Sequence, residues 1–141
     1  MKNILKSLLL VTCISFSSVT MAQIAIVVGA KSTATALTRE QASALFLGKS
    51  TQLPGAGIPL LIDQLESVDV RQIFYTKVTE KTPAQVKAVW SRLVFSGKGS
   101  PPREVANSAE VKKLVNANPD ALGYIEKSAV DASVRVLLSI D

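Results

Sequence analysis

The chain has 141 residues, no histidine and one cysteine, Cys13, and its 16 Lys and Arg against 11 Asp and Glu give a formal charge of +5 at neutral pH. These counts exclude an intrachain disulfide, histidine or multi-cysteine metal sites and Ser-His-Asp catalysis, because each needs side chains the sequence does not supply. A length of 141 fits one domain and leaves little room for two.

The N-terminus reads as a secretory signal. Lys2 and Lys6 form a positive n-region, Leu8-Leu9-Leu10-Val11 opens an apolar h-region that runs through Cys13, Ile14 and Phe16, and Thr20-Met21-Ala22 supplies the small residues of a cleavage site. The expected division is a signal peptide over 1–22 and a mature, periplasmic domain over 23–141. The stretch is shorter and richer in serine than the ~20 apolar residues of a membrane span. Lipid attachment at Cys13 is the competing reading, but such a signal needs a Gly, Ala or Ser just before the cysteine, and Thr12 stands there. Cleavage removes the only cysteine and leaves 14 basic against 11 acidic residues, net +3. That charge is too mild and too dispersed for a nucleic-acid surface, whereas a small anion remains compatible with it. With no disulfide, an apolar core must hold the domain, which is feasible at a size that buries roughly two-thirds of the unfolded surface.

Along the mature chain, Ile24-Ala25-Ile26-Val27-Val28 is an uninterrupted apolar run closed by Gly29, the pattern of a strand covered on both faces, as in a parallel sheet. Thr38 and Gln41 make a capping box for a helix over 39–47, with Ala42, Leu45 and Phe46 on one face and Gly48 as its stop. Ile58-Pro59-Leu60-Leu61-Ile62 reads as a second buried strand ending near Asp63. A helix over about 68–79 aligns Val70, Ile73, Phe74 and Val78, with Ser67 as N-cap. Thr82-Pro83-Ala84-Gln85 opens a third helix with the stripe Val86, Val89, Trp90, Leu93 and Val94. The stretch from Gly97 to Arg103 reads as a loop, after which Asn107 or Ser108 starts a fourth helix that Pro119 stops. Residues 121–125 and 134–138 complete the order β-α-β-α-α-α-β-β, an α/β domain with helices covering a mixed sheet.

Several segments invite a functional reading. Leu47-Gly48-Lys49-Ser50 resembles the end of a phosphate loop, but Ser43 stands where the first glycine belongs and the segment follows a helix, so a helix stop and polar turn explains it better. Gly97-Lys98-Gly99-Ser100 could cradle an anion through backbone N–H groups, yet Gly and Pro in this density ordinarily mark a loop. Trp90 could stack on a ligand, but its place on the apolar stripe favours core packing. Asp63, Glu66 and Asp69 surround a strand-to-helix junction, the usual ligand position in open α/β sheets. The same acids also suit a helix N-terminus electrostatically, and nothing in their spacing marks a general acid–base pair.

Taken together, Leu37-Thr38-Arg39-Glu40-Gln41 through Phe46-Leu47-Gly48-Lys49, Ile62-Asp63-Gln64 with Arg71-Gln72-Ile73-Phe74, Trp90 with Phe95-Ser96-Gly97-Lys98-Gly99, and Pro119-Asp120-Ala121-Leu122-Gly123-Tyr124-Ile125 resemble the phosphate-type substrate-binding proteins of ABC transporters. The resemblance runs from about residue 24 to 138. It implies an α/β single lobe of a type II periplasmic-binding-protein-like fold, a mixed sheet flanked by helices, where the transport proteins use two lobes that close on phosphate. At the family's ligand loop only Arg71 and Phe74 match. Ser67 is a shifted counterpart of the family's serine, and the Gly-Thr pair is replaced.

The resemblance therefore implies a non-enzymatic, cofactor-free and metal-free solute-binding domain for phosphate or another small oxyanion. Its expected ligand residues are Ser67, Asp69 and Arg71 with the N–H groups opening the helix, faced by Ser32 and Thr33 after the first strand. It also implies an ABC transporter permease or another periplasmic partner. A homodimer would rebuild a two-sided cleft, and the alternative function is a single-lobe interaction module without a small ligand.

Overall fold

The computed structural model describes residues 22–141, so the expected signal segment lies almost wholly outside the described residues. The elements are β1 (Ile24–Gly29), α1 (Arg39–Phe46), β2 (Leu60–Gln64), α2 (Asp69–Thr79), α3 (Pro83–Phe95), β3 (Arg103–Val105), α4 (Ser108–Ala117), β4 (Ala121–Glu126) and β5 (Val134–Ile140).

Local chemistry sets most of the helix starts. Thr38 Oγ1 accepts from the Gln41 N–H at 3.1 Å while Gln41 Oε1 accepts from the Thr38 N–H at 2.9 Å. Thr82 and Gln85 repeat the reciprocal pair at α3, and Asn107 Oδ1 accepts from the Glu110 N–H at α4. Each such cap contributes about 1 kcal/mol. The start of α2 departs from expectation: its N-cap is Val68, with no side-chain cap, instead of Ser67. A turn closed by the Val68 N–H on the Leu65 carbonyl holds Ser67 before the helix.

The strands form one sheet in the order β3-β2-β4-β1-β5. β2 runs parallel to β3 and β4, whereas β1 runs antiparallel to β4 and β5. The apolar run of β1 thus signalled burial on two faces correctly and direction wrongly, since periodicity carries no information about the partner's polarity. Ile24, Ile26 and Val28 pack with residues of α1, α2 and α3, while Ala25 and Val27 pack with Val111 and Val115 of α4. Burial of each large aliphatic side chain here contributes roughly 1.5–3 kcal/mol.

Glycine lets α4 approach closely. A Cβ on Gly29 would stand 2.1 Å from the Val115 carbonyl oxygen, and one on Gly123 would stand 2.5 Å from Val111 Cγ1.

The segment read as a loop through Arg103 contains the start of β3, whose three residues are too few to show a period. Pairing with β2 creates this strand, with Ile62 opposite Arg103, Asp63 opposite Glu104 and Gln64 opposite Val105. β2 itself starts at Leu60, after Pro59, and continues through Asp63 and Gln64. Among the described residues no helix is long and apolar enough to cross a membrane.

Gly29→Ala should destabilise the protein by about 3 kcal/mol, because backbone rather than a flexible side chain would have to yield. Chemical denaturation measures this directly, and wild-type stability in the variant would show that α4 is not held at this distance.

Candidate functional site

β2 ends on two consecutive buried polar residues. Asp63 faces the side of the sheet covered by α2, where it accepts from the Tyr75 hydroxyl at 2.6 Å, from the Tyr124 hydroxyl, and from the Gln64 backbone N–H at 2.8 Å. Gln64 faces the α4 side, where its amide nitrogen donates to the Tyr124 carbonyl at 3.0 Å and to Ser108 Oγ at 3.3 Å.

The helical period of α2 supplies the partners. Arg71 and Tyr75 lie one turn apart on one face, and the Arg71 guanidinium sits 5.6 Å from the Tyr75 ring centroid, within cation–π range. Between them Phe74 stacks on Tyr124, with ring centroids 3.8 Å apart and planes 4° from parallel, and Phe46 meets Phe74 edge-on. This aromatic packing fixes both hydroxyls on the carboxylate.

Arg71 is itself buried, only 6% exposed. Its Nη1 donates to the Gln64 carbonyl at 3.2 Å and to Glu104 Oε1 at 3.0 Å, and its Nη2 lies 3.7 Å from Asp63 Oδ2. Its Nε, buried, has no hydrogen-bond partner among the described residues, and neither has Gln64 Oε1. Burial pushes the Asp63 carboxyl above its ordinary range, against the lowering pull of the two tyrosines, Arg71 and the Gln64 N–H. Burial alone would lower Arg71, but Asp63, Tyr75 and Glu104 hold its charge more firmly than usual. Both tyrosine hydroxyls are pushed far up, first by burial and then by the Asp63 charge.

The cluster opens onto a groove of about 640 Å³. Asp63 and Arg71 form its floor, Trp90 and Phe95 of α3 one wall, and Pro101, Pro102 and Glu104 the other, with Glu66 and Lys87 also lining it. Trp90 is both core and wall, since its Nε1 donates to the Phe46 carbonyl at 2.9 Å. Phe95 is 96% exposed.

Of the residues expected from sequence, Arg71 lies in this groove and the others lie elsewhere. Ser67 is exposed on the preceding turn. Asp69 lines a separate surface depression with Gln23, Ile73 and Glu126. Ser32 and Thr33 do not form an opposing wall. Because β1 runs opposite to β2, with Val27 beside Gly123 and Leu60 beside Ala121, the end of β1 lies where β2 begins. There Thr33 donates to the Gly55 carbonyl at 2.7 Å, Ser32 Oγ accepts from the Ala34 N–H, and the Ser32 carbonyl accepts from Arg135. Both tie loops together at the far end of the sheet.

Gly48, at φ 70°, is a helix stop, as the structural reading of Gly48-Lys49-Ser50 holds. Gln64, Tyr75, Glu104 and Tyr124 were not singled out as site residues from the sequence. Two polar residues closing an apolar strand, and tyrosines limited to two in the whole chain, were the available signals. Among the described residues no group of three or more Asp, Glu, Cys or His side chains is arranged to hold a metal ion.

No protein-family model matches the chain, and no curated protein does. Solved structures match it. One is a protein assigned as a phosphate ABC transporter substrate-binding protein from Clostridium perfringens, with bound phosphate, at 23% identity and TM-score 0.64 over 82% of this chain and 45% of that one. Another is an ABC-type phosphate transport receptor from Vibrio cholerae, at 25% identity and TM-score 0.62 over 82% of this chain and 46% of that one. The chain thus spans less than half the length of the structures it matches. The α/β architecture, a mixed sheet flanked by helices, resembles the periplasmic-binding-protein-like fold of these neighbours.

Asp63→Ala should destabilise the protein by roughly 3–5 kcal/mol, since it strands a buried guanidinium and two buried hydroxyls; a loss below 1 kcal/mol in denaturant melts would contradict the assigned network. The pH dependence has a definite sign. The folded state keeps both tyrosine protons at pH values where the unfolded chain, with tyrosines near ~10, releases them. Stability from these groups is complete below that value and is lost as pH rises past it. Alkaline titration should therefore show tyrosinate absorbance rising only together with loss of circular dichroism. Ionisation near pH ~10 in the folded protein would refute the buried arrangement.

Proposed function

We propose that this chain is an exported, non-enzymatic binding module for a small oxyanion, phosphate or another of its class, held at Arg71 where β2 meets α2. The observation that carries this reading is a buried guanidinium on the floor of an open groove whose Nη1 is held there by Glu104, a half-exposed and exchangeable carboxylate. A guanidinium binds oxyanions through charge-assisted hydrogen bonds, and Nη1, which now donates to Glu104, is the nitrogen an oxyanion would take over. Support also comes from the likeness to phosphate-transport structures. Residues 1–22 would direct export to the periplasm, and an ABC transporter permease would be the partner.

Glu104 is the internal competitor. Its side chain is half exposed and contributes a carboxylate to Arg71 from a three-residue edge strand. An arriving oxyanion would displace it while Asp63, fixed by the two tyrosines, stays in place.

A second reading, a module that docks on a periplasmic partner without a small ligand, is favoured by Val94 and Phe95, which stand exposed at the end of α3. Specific capture of a partner from periplasmic extract, lost in Phe95→Ser, would support it. A homodimer that closes the groove would instead appear as ligand-dependent dimerisation in light scattering.

Calorimetry should detect phosphate, sulfate or arsenate at millimolar concentration. Glu104→Gln should strengthen that binding by about 1 kcal/mol, roughly fivefold, through loss of the competing charge. No heat with any of the three anions, in either protein, would overturn the oxyanion reading.

A further inference from the structure

The groove is larger and more apolar than a tetraoxyanion requires. Its volume, about 640 Å³, falls inside the ~300–1,000 Å³ typical of sites for organic molecules. Its lining combines a large apolar share, Val86, Trp90, Val94, Phe95, Pro101 and Pro102, with charged groups and Ser91, and the indole N–H of Trp90 is already committed to Phe46. The charges also limit the occupant. Arg71 and Lys87 line the groove together with Asp63, Glu66 and Glu104, so a dianion would meet three carboxylates against two cations. A monoanion adds only half as much negative charge to that excess as a dianion does.

We infer that the ligand is an organic monoanion, an aryl or branched-alkyl carboxylate whose head engages Arg71 while its apolar body lies between Trp90 and Phe95 on one side and Pro101 and Pro102 on the other. This rests on the reading that Arg71 holds an anion and names the class of anion. The head takes the place of the half-exposed Glu104 carboxylate on Arg71 Nη1. The body covers a phenylalanine that is otherwise 96% exposed, which gives the burial that an inorganic ion cannot provide.

The only tryptophan of the chain is Trp90, so its fluorescence reports occupancy of this groove. Titration of the purified protein with benzoate, acetate, inorganic phosphate and benzylamine separates the cases. Benzoate should shift the Trp90 emission and bind at least about tenfold more tightly than acetate, the difference expected from burying one ring. Phe95→Ser, a change at an exposed position that leaves the fold intact, should bring benzoate down toward acetate. Arg71→Lys, with folding checked by circular dichroism, should weaken both anions.

Phosphate binding with benzoate no tighter than acetate would overturn the organic-anion assignment and leave the oxyanion reading standing. Failure of all three anions would remove both. Preference for benzylamine would make this a cation site and overturn the inference.

Discussion

A carboxylate buried beneath a helix is the constraint around which the rest of this lobe is arranged. Moving Asp63 out of water is tolerable only because two tyrosine hydroxyls, a backbone N–H and a guanidinium converge on it. Those four partners come from β2, α2 and β4, so the cluster fixes how the helix docks on the parallel part of the sheet. The stacked Phe74–Tyr124 pair and the edge-on Phe46 extend that fixation to α1. The proposed binding role and the architecture meet in Arg71, which lies beside the same carboxylate on the floor of the groove.

Glu104 and Asp63 take different parts toward the shared guanidinium. Asp63 is enclosed and held by several donors, whereas Glu104 is half exposed and held by Arg71 among its described hydrogen-bond partners. An exposed ion pair is cheap to break and a buried one is not. In the proposed site a ligand would exchange with one carboxylate while the other keeps Arg71 oriented.

Much of the fold was legible because its signals are local. The capping boxes at Thr38 and Thr82, the apolar stripes of α2 and α3, and the Gly48 stop each depend on residues within a few positions. The junction after β2 is a candidate from its position and Arg71 a candidate from the resemblance; the structure brings Arg71 to a groove there. Strand direction was not legible, and that single unknown misplaced Ser32 and Thr33, since an antiparallel β1 finishes at the opposite end of the sheet from the end of β2. Tyr75, Tyr124 and Glu104 stayed hidden because their role depends on contacts 12, 61 and 33 residues away along the chain. β3 stayed hidden because its partner defines it.

The position of β1 also bears on how the molecule is made. It is the first strand in the chain, yet it is flanked by the last two, with Ile24 opposite both Glu126 and Ile140. Such pairing closes loops of more than a hundred residues before any reward arrives, a topology associated with slow folding. This apolar strand must remain without its sheet neighbours until β4 and β5 have been synthesised. β2 and β3 can pair earlier, but the sheet as a whole is completed only when β4 and β5 are in place on either side of β1.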